Sequence, residues 1–309
     1  MAVYFLNLKT FGRSNGSSAV SAAAYRSGER IKDDRTGKTY DHTQRQDVMH
    51  KEIILPAEFS ADAISWARDR ASLWNLAESA ESRVNARVAR EYLVALPVEL
   101  SPDERLGLAR GFSQELSDRY RFAVDLAIHE PRRFPGSDPR NFHAHLLATT
   151  REVGVEGLGA KTTLEWNDTR RREIGLGPAI NELLHVRERW ANVTNEALRA
   201  ADATARVDHR TLRQQGIDRE PQPSIPRAVY EMERHGYRTF VGDRLREEYA
   251  ARVAARLTKS AESQPASAPK TAEDLRREAR ENWLRMRENA NQDSVAQKPR
   301  RGRDDDFSL

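Results

Sequence analysis

Residues 141–151 read Asn-Phe-His-Ala-His-Leu-Leu-Ala-Thr-Thr-Arg, and their pattern decides the fold. A short apolar run of this kind predicts a strand. Alternate side chains of a strand share a face, so His143 and His145 project from the same side of the sheet. The preceding strand is predicted over residues 122–129 and closes with His129. If the two strands are antiparallel neighbours, all three imidazoles lie together.

Three converging imidazoles predict a particular chemistry. Around a divalent cation they leave coordination positions open for a phosphate oxygen, which is a Lewis-acid arrangement. A single histidine is more often structural, whereas three that meet from adjacent strands favour a metal site.

Outward from this hairpin, strands and helices alternate along the first 150 residues. Strands are predicted over residues 3–8, 51–55, 90–96, 122–129 and 142–150, and helices over 19–28, 60–88 and 102–119. Residues 29–50 are predicted to be a loop or irregular hairpin, and helical periodicity returns at 169–198 and 237–256. This order predicts an α+β sandwich whose central sheet is mainly antiparallel, with flanking helices placed on one side of it.

Composition limits the classes of protein that fit. The chain has 309 residues, no cysteine and a formal net charge of +4, and only eight of its 51 basic residues are lysines, which leaves 43 arginines. The lack of cysteine excludes disulfide scaffolds, thiolate metal sites and cysteine nucleophiles. No apolar run is long enough to span a membrane, and the first residues lack a signal-peptide pattern. We therefore expect a soluble cytoplasmic protein. The arginine excess suits phosphate binding, although codon bias explains it equally well.

Two carboxylates are predicted on the histidine face of the sheet. Glu91 shares a strand face with Leu93 and Ala95, and Asp125 lies four residues before His129. Glu91 could orient an imidazole, add to the metal field or accept a proton, and Asp125 could orient an imidazole. The alternative for both is an ion pair with an arginine.

Tyr25 lies near the end of a predicted helix of very small residues, which Gly28 terminates. A phenol with its ordinary pKa near 10 is a poor nucleophile, so nucleophilic use requires a nearby cation, metal or base. Taken alone, Tyr25 is more simply a packed aromatic residue.

Taken together, four motifs resemble the MobA/MobL family of plasmid mobilisation relaxases, the MobQ-type branch of the HUH endonucleases. The motifs are Arg13-Ser-x-Gly-x-Ser-Ala-Val-x-Ala-Ala-Ala-Tyr25-Arg-Ser-Gly28, Arg90-Glu91-Tyr92, His129 with Asn141-Phe-His143-Ala-His145 through Arg151, and Asp208-His-Arg210 leading to Gln215 through Pro221. Each motif alone is weak, but their joint occurrence in this order over residues 2–225 is specific.

The resemblance implies an HUH-type fold and a role for each matched residue. Tyr25 matches the nucleophile, Glu91 the active-site carboxylate, and His129, His143 and His145 the ligands of a divalent metal ion, Mg²⁺ or Mn²⁺. Asp125 is expected to support this metal site from outside it. Candidate DNA contacts are Arg13, Arg26, Arg151 and Arg210.

The implied function is nicking of one DNA strand at a plasmid origin of transfer, through a 5′-phosphotyrosyl intermediate that is rejoined after conjugative transfer. Single-stranded origin DNA is the expected partner, with relaxosome accessory proteins and a conjugative coupling protein as further candidates. The alternatives are an HUH replication initiator and a non-catalytic nucleic-acid-binding module. No Walker-type motif is present, so no helicase is expected.

Three regions are expected along the chain. Residues 1–225 form the relaxase domain, residues 226–258 a helical extension, and residues 259–309 a low-complexity linker with a charged tail. The tail is expected to be solvated rather than a docking segment.

Overall fold

A five-stranded sheet forms the centre of the molecule in the computed structural model, which describes residues 2–60, 62–131 and 138–263 together with Glu273, Arg276, Arg277, Arg280 and Glu281. Its strands are β1 (Leu6–Gly12), β4 (Val48–Ile54), β5 (Arg87–Ala95), β6 (Val124–His129) and β7 (His143–Thr149). They lie in the order β1-β5-β7-β6-β4, and every neighbouring pair is antiparallel. The predicted antiparallel α+β sheet is therefore confirmed.

Two hairpins and seven helices accompany this sheet in the described residues. The hairpins are β2 (Arg30–Lys32) with β3 (Thr39–Asp41), and β8 (Arg151–Gly154) with β9 (Gly157–Lys161). The helices are α1 (Ala19–Ser27), α2 (Arg70–Ser79), α3 (Pro102–Tyr120), α4 (Asp168–Glu173), α5 (Ala179–Ala200), α6 (Arg227–Arg234) and α7 (Phe240–Ser263). The first hairpin lies within the predicted irregular segment 29–50, and the second was not predicted.

Helices cover both faces of the sheet, so the expected placement on one side is wrong. Residues of one face of the strands, such as Tyr92 and Leu146, pack with Phe112 of α3 and Trp190 of α5. The opposite face, which includes Leu147, packs against α1 and α2. The strands are buried on both sides because the chain supplies two apolar clusters, one for each face.

The long helix predicted over residues 60–88 is also wrong. Only α2 and a short 3-10 helix at Ser65–Arg68 form within it, and residues 81–86 are irregular. Two backbone carbonyls beyond α2, those of Glu81 and Arg83, accept hydrogen bonds from the Arg13 guanidinium. At these two carbonyls, a side chain distant in sequence thus takes the place of the backbone N–H donors that a continued helix would supply.

The first strand begins later than predicted. Residues 3–8 were expected to form it, but β1 runs from Leu6 to Gly12 and pairs along its length with β5. Val3 is 70% exposed, so its apolar side chain does not mark a buried strand position.

The chain divides into two compact units between Gln215 and Gly216. The first contains the sheet, α1 to α5 and both apolar clusters; the second contains α6 and α7. Most of the predicted linker and tail at 259–309 lies outside the described residues, as does part of the loop between β6 and β7. No described helix is both long and apolar enough to cross a membrane.

Candidate metal centre and nucleophile

The β6–β7 ladder brings three histidines to one end of the sheet. His129 is the register partner of His143, and His145 lies opposite Ala127, so all three rings project from the same face. Their ring centroids are 4.6 to 5.4 Å apart. One nitrogen from each ring can be chosen so that all three lie within 4.8 Å of one another. The strand spacing that predicted a cluster therefore produces one.

Hydrogen bonds fix the tautomer of each imidazole. The Nε2 of His129 lies 2.7 Å from the carbonyl oxygen of Arg26, and the Nδ1 of His143 lies 3.0 Å from the carbonyl oxygen of Asn141. The Nδ1 of His145 lies 2.5 Å from a carboxylate oxygen of Glu91. Carbonyl and carboxylate oxygens only accept, so each of these nitrogens carries its proton and donates.

The second nitrogen of each ring consequently keeps its lone pair. A histidine that binds a metal through one ring nitrogen usually donates from the other nitrogen to a carbonyl or carboxylate oxygen, which holds the ring in place. Three imidazoles with unprotonated nitrogens fit a divalent transition-metal ion. Because three ligands leave other coordination positions of the ion open, they also fit a cation that keeps oxygen ligands.

Burial keeps two of the three rings, those of His129 and His145, neutral. Desolvation, followed by the neighbouring His145, lowers the pKa of His129 to about 3. Desolvation also lowers the pKa of His145, and this effect outweighs the opposing effect of the hydrogen bond that His145 donates to Glu91. Because only the neutral ring can bind a metal, both ligands are in the competent form at neutral pH.

Glu91 is ionised although it is buried. Burial alone would raise the pKa of its carboxyl, but hydrogen bonds from His145 and Arg26 lower that pKa to about 2. The Arg26 guanidinium holds both carboxylate oxygens, with Nε at 2.5 Å and Nη2 at 2.7 Å. The carboxylate therefore orients His145, which is one of the three roles predicted for Glu91.

Arg26 was predicted to contact DNA, but its surroundings give it another task. It is 8% exposed, and besides Glu91 it binds the carbonyl oxygen of Ala22 in its own helix. Its guanidinium thus makes its hydrogen bonds inside the protein, to a buried carboxylate and to the backbone. We interpret Arg26 as the counter-ion of Glu91.

Asp125 lies on the histidine face as predicted, but it does not orient an imidazole. Its carboxylate accepts two hydrogen bonds from Arg70, at 2.8 and 2.9 Å, and one from the indole nitrogen of Trp74 at 2.9 Å. Both partners belong to α2, which covers this part of the sheet. Asp125 therefore attaches α2 to β6, and the support predicted for the metal site is corrected accordingly.

Two further arginines predicted to bind DNA form salt bridges within the fold. Arg13 forms a salt bridge with the buried Glu78 at 3.0 Å, and Arg151 forms one with Glu81 at 2.8 Å. Glu78 also accepts a hydrogen bond from the backbone nitrogen of Ala19, the first residue of α1. These contacts connect α1, α2 and β8 on one side of the sheet.

Arg210 differs from the other three. Its side chain is 52% exposed, and it pairs with Asp208 at 2.7 Å in an irregular segment. Ion pairs this exposed are weak and exchange readily with solvent or phosphate. Arg210 is the most exposed of the four arginines, and its contact with DNA stays a prediction.

Tyr25 lies in the last turn of α1, directly before the residue whose carbonyl binds His129. Ser18 caps the beginning of this helix by accepting from the Ser21 nitrogen, and Gly28 ends it in the left-handed conformation at φ 65°. The intervening small side chains allow the helix to approach the sheet closely, and the buried ones are Ala19, Ala22, Ala23 and Ala24.

The Tyr25 ring is half-buried between two side chains of the loop that follows β3. The guanidinium carbon of Arg45 lies 4.2 Å from the ring centroid, and the His42 ring meets the phenol edge-on at 5.2 Å. The Nη2 of Arg45 also lies 3.2 Å from the Nδ1 of His129. The candidate nucleophile and the histidine cluster therefore share a neighbour.

Sequence reasoning gave no role to Arg45, to its partner Asp47, or to Arg70 and Trp74. These residues act through contacts between segments that are 20 to 84 positions apart. The short spacing of Arg45 and Asp47 is the one local signal, and it does not reveal the aromatic ring and the imidazole that Arg45 touches.

Comparison with known proteins gives the family. The model of the MobA/MobL family matches residues 17–235, a span that includes Tyr25, Glu91 and the three histidines. This chain belongs to the MobA/MobL family. The resemblance drawn from its motifs is therefore confirmed.

Relatives in the MobA/MobL family include proteins of several bacteria. "Mobilization protein MobL" of Acidithiobacillus ferridurans is 33% identical over 84% of this chain and 70% of its own length. "Mobilization protein A" of Escherichia coli is 34% identical over 79% of this chain, which spans only 32% of that longer protein. A solved structure from a study of vancomycin resistance transfer in Staphylococcus aureus is 30% identical to this chain, with a TM-score of 0.54. The match covers 68% of this chain and the whole of the chain in that structure.

Proposed function

We propose that this protein is a relaxase that nicks one DNA strand at an origin of transfer by tyrosine transesterification and later rejoins it. One observation carries the proposal: the carbonyl of Arg26, the residue after Tyr25, accepts a hydrogen bond from His129 at 2.7 Å. The turn that bears the phenol is thereby fixed against the histidine cluster. Membership of a family whose members are named mobilization proteins supports the same reaction.

The histidines would hold a divalent cation, Mg²⁺ or Mn²⁺, through His129, His143 and His145. When bound, the ion supplies Lewis-acid stabilisation of negative charge on a phosphate. Glu91, held by Arg26, keeps the Nδ1 of His145 protonated, so its Nε2 would be the atom that holds the ion. The backbone carbonyls of Arg26 and Asn141 do the same for His129 and His143.

Tyr25 would perform the covalent step. Its phenol oxygen forms a bond to phosphorus while the bond from phosphorus to the 3′ oxygen breaks. The phenol loses a proton and the leaving oxygen gains one. The products are a 5′-phosphotyrosyl protein and a free 3′-hydroxyl, and the reverse reaction with another 3′-hydroxyl closes the strand.

The substrate would be single-stranded DNA at an origin of transfer. Exposed arginines such as Arg210 would bind its phosphates, so binding should weaken as salt rises. Residues 1–225 would form the catalytic domain and residues 226–258 a helical extension. Accessory proteins of the relaxosome and a coupling protein are further expected partners.

A denaturing gel tests the covalent step. The protein is incubated with Mn²⁺ and a pool of single-stranded 40-mers labelled at the 3′ end, because a 5′-phosphotyrosyl bond retains the 3′ fragment. We expect a labelled band that survives denaturant and is lost in Tyr25→Phe. Tyr40→Phe is the matched control, since it removes a phenolic hydroxyl from the neighbouring hairpin, and it should form the adduct normally. An adduct that persists in Tyr25→Phe would refute the nucleophile.

A metal titration tests the ligands separately. In His143→Ala/His145→Ala, removal of two imidazoles should lower both Mn²⁺ affinity, measured by calorimetry, and adduct yield. His185→Ala is the control, because this residue is exposed on α5. Equal Mn²⁺ affinity in the double variant and the wild type would eliminate the assigned ligands.

A further inference from the structure

One side chain contacts both halves of the candidate site. Arg45 belongs to the loop between β3 and β4, and its side chain is only 10% exposed. Its guanidinium lies against the face of the Tyr25 ring and donates from Nη1 to the Tyr25 carbonyl at 2.6 Å. Its Nη2 donates to His129 at 3.2 Å. Ring, backbone and metal ligand are thus held by one planar group.

Asp47 keeps this guanidinium in place. It accepts from Nε of Arg45 at 2.8 Å and from Nη2 at 2.6 Å, a bidentate pair. The backbone carbonyl of Asp47 also accepts from the nitrogen of Glu130, the residue after His129. The loop is consequently tied to the end of β6, beside His129.

The close approach of α1 to this loop is an independent sign that the arrangement is specific. A Cβ built on Gly28 would meet Val48 at 3.2 Å, and Cβ of Arg45 and the carbonyl of His42 at 3.6 Å. Glycine therefore allows the end of the tyrosine helix to lie directly on the segment that carries Arg45.

The contact with His129 falls on the nitrogen that a metal would need. Because Nε2 of His129 donates to Arg26, its Nδ1 carries the lone pair, and a guanidinium can only donate to it. A divalent cation and the Arg45 guanidinium cannot use the same lone pair. They also repel each other as like charges at short distance.

We propose that Arg45 is a positioning residue that holds the Tyr25 ring beside the histidine cluster and competes with the divalent cation for Nδ1 of His129. This inference rests on the proposed function for Tyr25 and the histidines. It adds that a bound cation would take Nδ1 of His129 from Arg45, whereas the bidentate pair with Asp47 would still hold the guanidinium against the phenol. The tyrosine and the metal centre are then coupled through one arginine.

Two substitutions separate the charge of Arg45 from its geometry. Arg45→Gln removes the charge, so Mn²⁺ affinity by calorimetry should rise about tenfold, consistent with loss of a like charge near the site. Arg45→Lys keeps the charge but not the planar fork that reaches Nδ1 of His129, so its Mn²⁺ affinity should rise, but by less than in Arg45→Gln. In both variants the rate of adduct formation at saturating Mn²⁺ should fall at least about tenfold, because the ring is no longer held.

The matched control is Arg30→Gln, an exposed arginine of the same hairpin region that pairs with Asp41. It should change neither Mn²⁺ affinity nor rate. Metal-free binding of a single-stranded 40-mer should stay within about twofold in all three variants, which separates positioning from loss of DNA binding. Circular dichroism checks that each variant is folded. If Arg45→Gln does not fold, the adduct rate of Arg45→Lys still tests the proposal.

Two results would overturn the proposal. One is a Mn²⁺ affinity of Arg45→Gln that equals or falls below that of the wild type. The other is an unchanged adduct rate at saturating Mn²⁺ in Arg45→Lys. If the wild type forms no adduct, the proposed function fails, whereas the calorimetric comparison still decides whether Arg45 competes for His129.

Discussion

At the scale of single residues, charge is buried on both faces of strand β5. Glu91 faces the histidines and pairs with Arg26, whereas the neighbouring Arg90 faces the other side and pairs with Glu165 at 2.7 Å. Both pairs are almost completely buried. A buried pair of this kind adds little net stability, but loss of one partner leaves an uncompensated charge. The difference between the pairs is that only Glu91 touches an imidazole.

That difference yields a prediction for Glu91→Gln. The amide retains the shape but not the charge that supports His145, so Mn²⁺ affinity should fall about 10- to 100-fold, the usual effect of losing an outer partner of a histidine ligand. The control is Glu165→Gln, which neutralises an equally buried partner of an arginine on the opposite face. Both variants should unfold at lower urea concentration, but only Glu91→Gln should lose metal affinity by calorimetry. Equal metal affinity in the two would show that Glu91 does not support the site.

The sequence indicates some of these residue contacts and not others. The spacing of His143 and His145 is informative because strand alternation is a local property. For Asp125, strand alternation predicts the correct face of the sheet. Its partners belong to α2, and the strand pattern does not predict where that helix packs. In the same way Arg26 and Glu91 are 65 residues apart, and their pairing depends on where α1 lies on the sheet.

At the scale of elements, α1 and α2 reach the sheet by different means. Helix α1 approaches closely because its buried side chains are small, and Gly28 lets it end directly against the Arg45 loop. Helix α2 carries larger side chains and is attached through Arg70 and Trp74 to Asp125. The first contact positions the proposed nucleophile and the second stabilises the fold.

Gly28→Ala tests the first of these contacts. Alanine in the left-handed conformation costs about 1–2 kcal/mol, and its Cβ would also press on Val48 at 3.2 Å. We expect lower stability in urea and slower adduct formation, because the end of α1 must move. Gly37→Ala is the matched control: its φ of 70° carries the same backbone cost, but a Cβ there meets nothing within 4 Å. An adduct rate reduced equally in both variants would contradict the specific contact.

Asp125→Ala tests the second contact. Removing the carboxylate leaves Arg70 with Glu29 alone and Trp74 without its acceptor, so unfolding free energy should fall by about 3 kcal/mol. Mn²⁺ affinity should stay within about twofold, because Asp125 touches no imidazole among its contacts. A loss of metal affinity comparable to that of Glu91→Gln would restore the original prediction that Asp125 supports the metal site.

Predictions of elements from the sequence succeed where the signals are local. The capped helix at 102–119 matches α3 because Ser101 and Glu104 form a capping box next to a proline. Part of the helix predicted over 60–88 fails where the guanidinium of Arg13 binds the carbonyl oxygens of Glu81 and Arg83 beyond α2, contacts across 68 and 70 residues. Long-range side-chain contacts override helical propensity here.

At the scale of the whole molecule, the site and both apolar clusters belong to the unit that ends at Gln215. All residues assigned to the metal, the nucleophile and its positioning lie between Tyr25 and His145. The family match nevertheless continues to residue 235, beyond the boundary between the units. Truncation at the boundary therefore separates the residues proposed for catalysis from the end of the family match.

A chain that ends at Gln215 should fold and retain the metal centre. It keeps both clusters intact, so its unfolding midpoint in urea and its Mn²⁺ affinity should match those of the full chain within error. The control ends at Gly177 and lacks α5, which buries Val186, Trp190 and Leu198 against α3 and the sheet. Each such side chain contributes about 1.5–3 kcal/mol, and their sum is comparable to the whole stability of a typical domain. The shorter chain should lose cooperative unfolding; loss of it in the longer chain as well would show that residues after 215 complete the core.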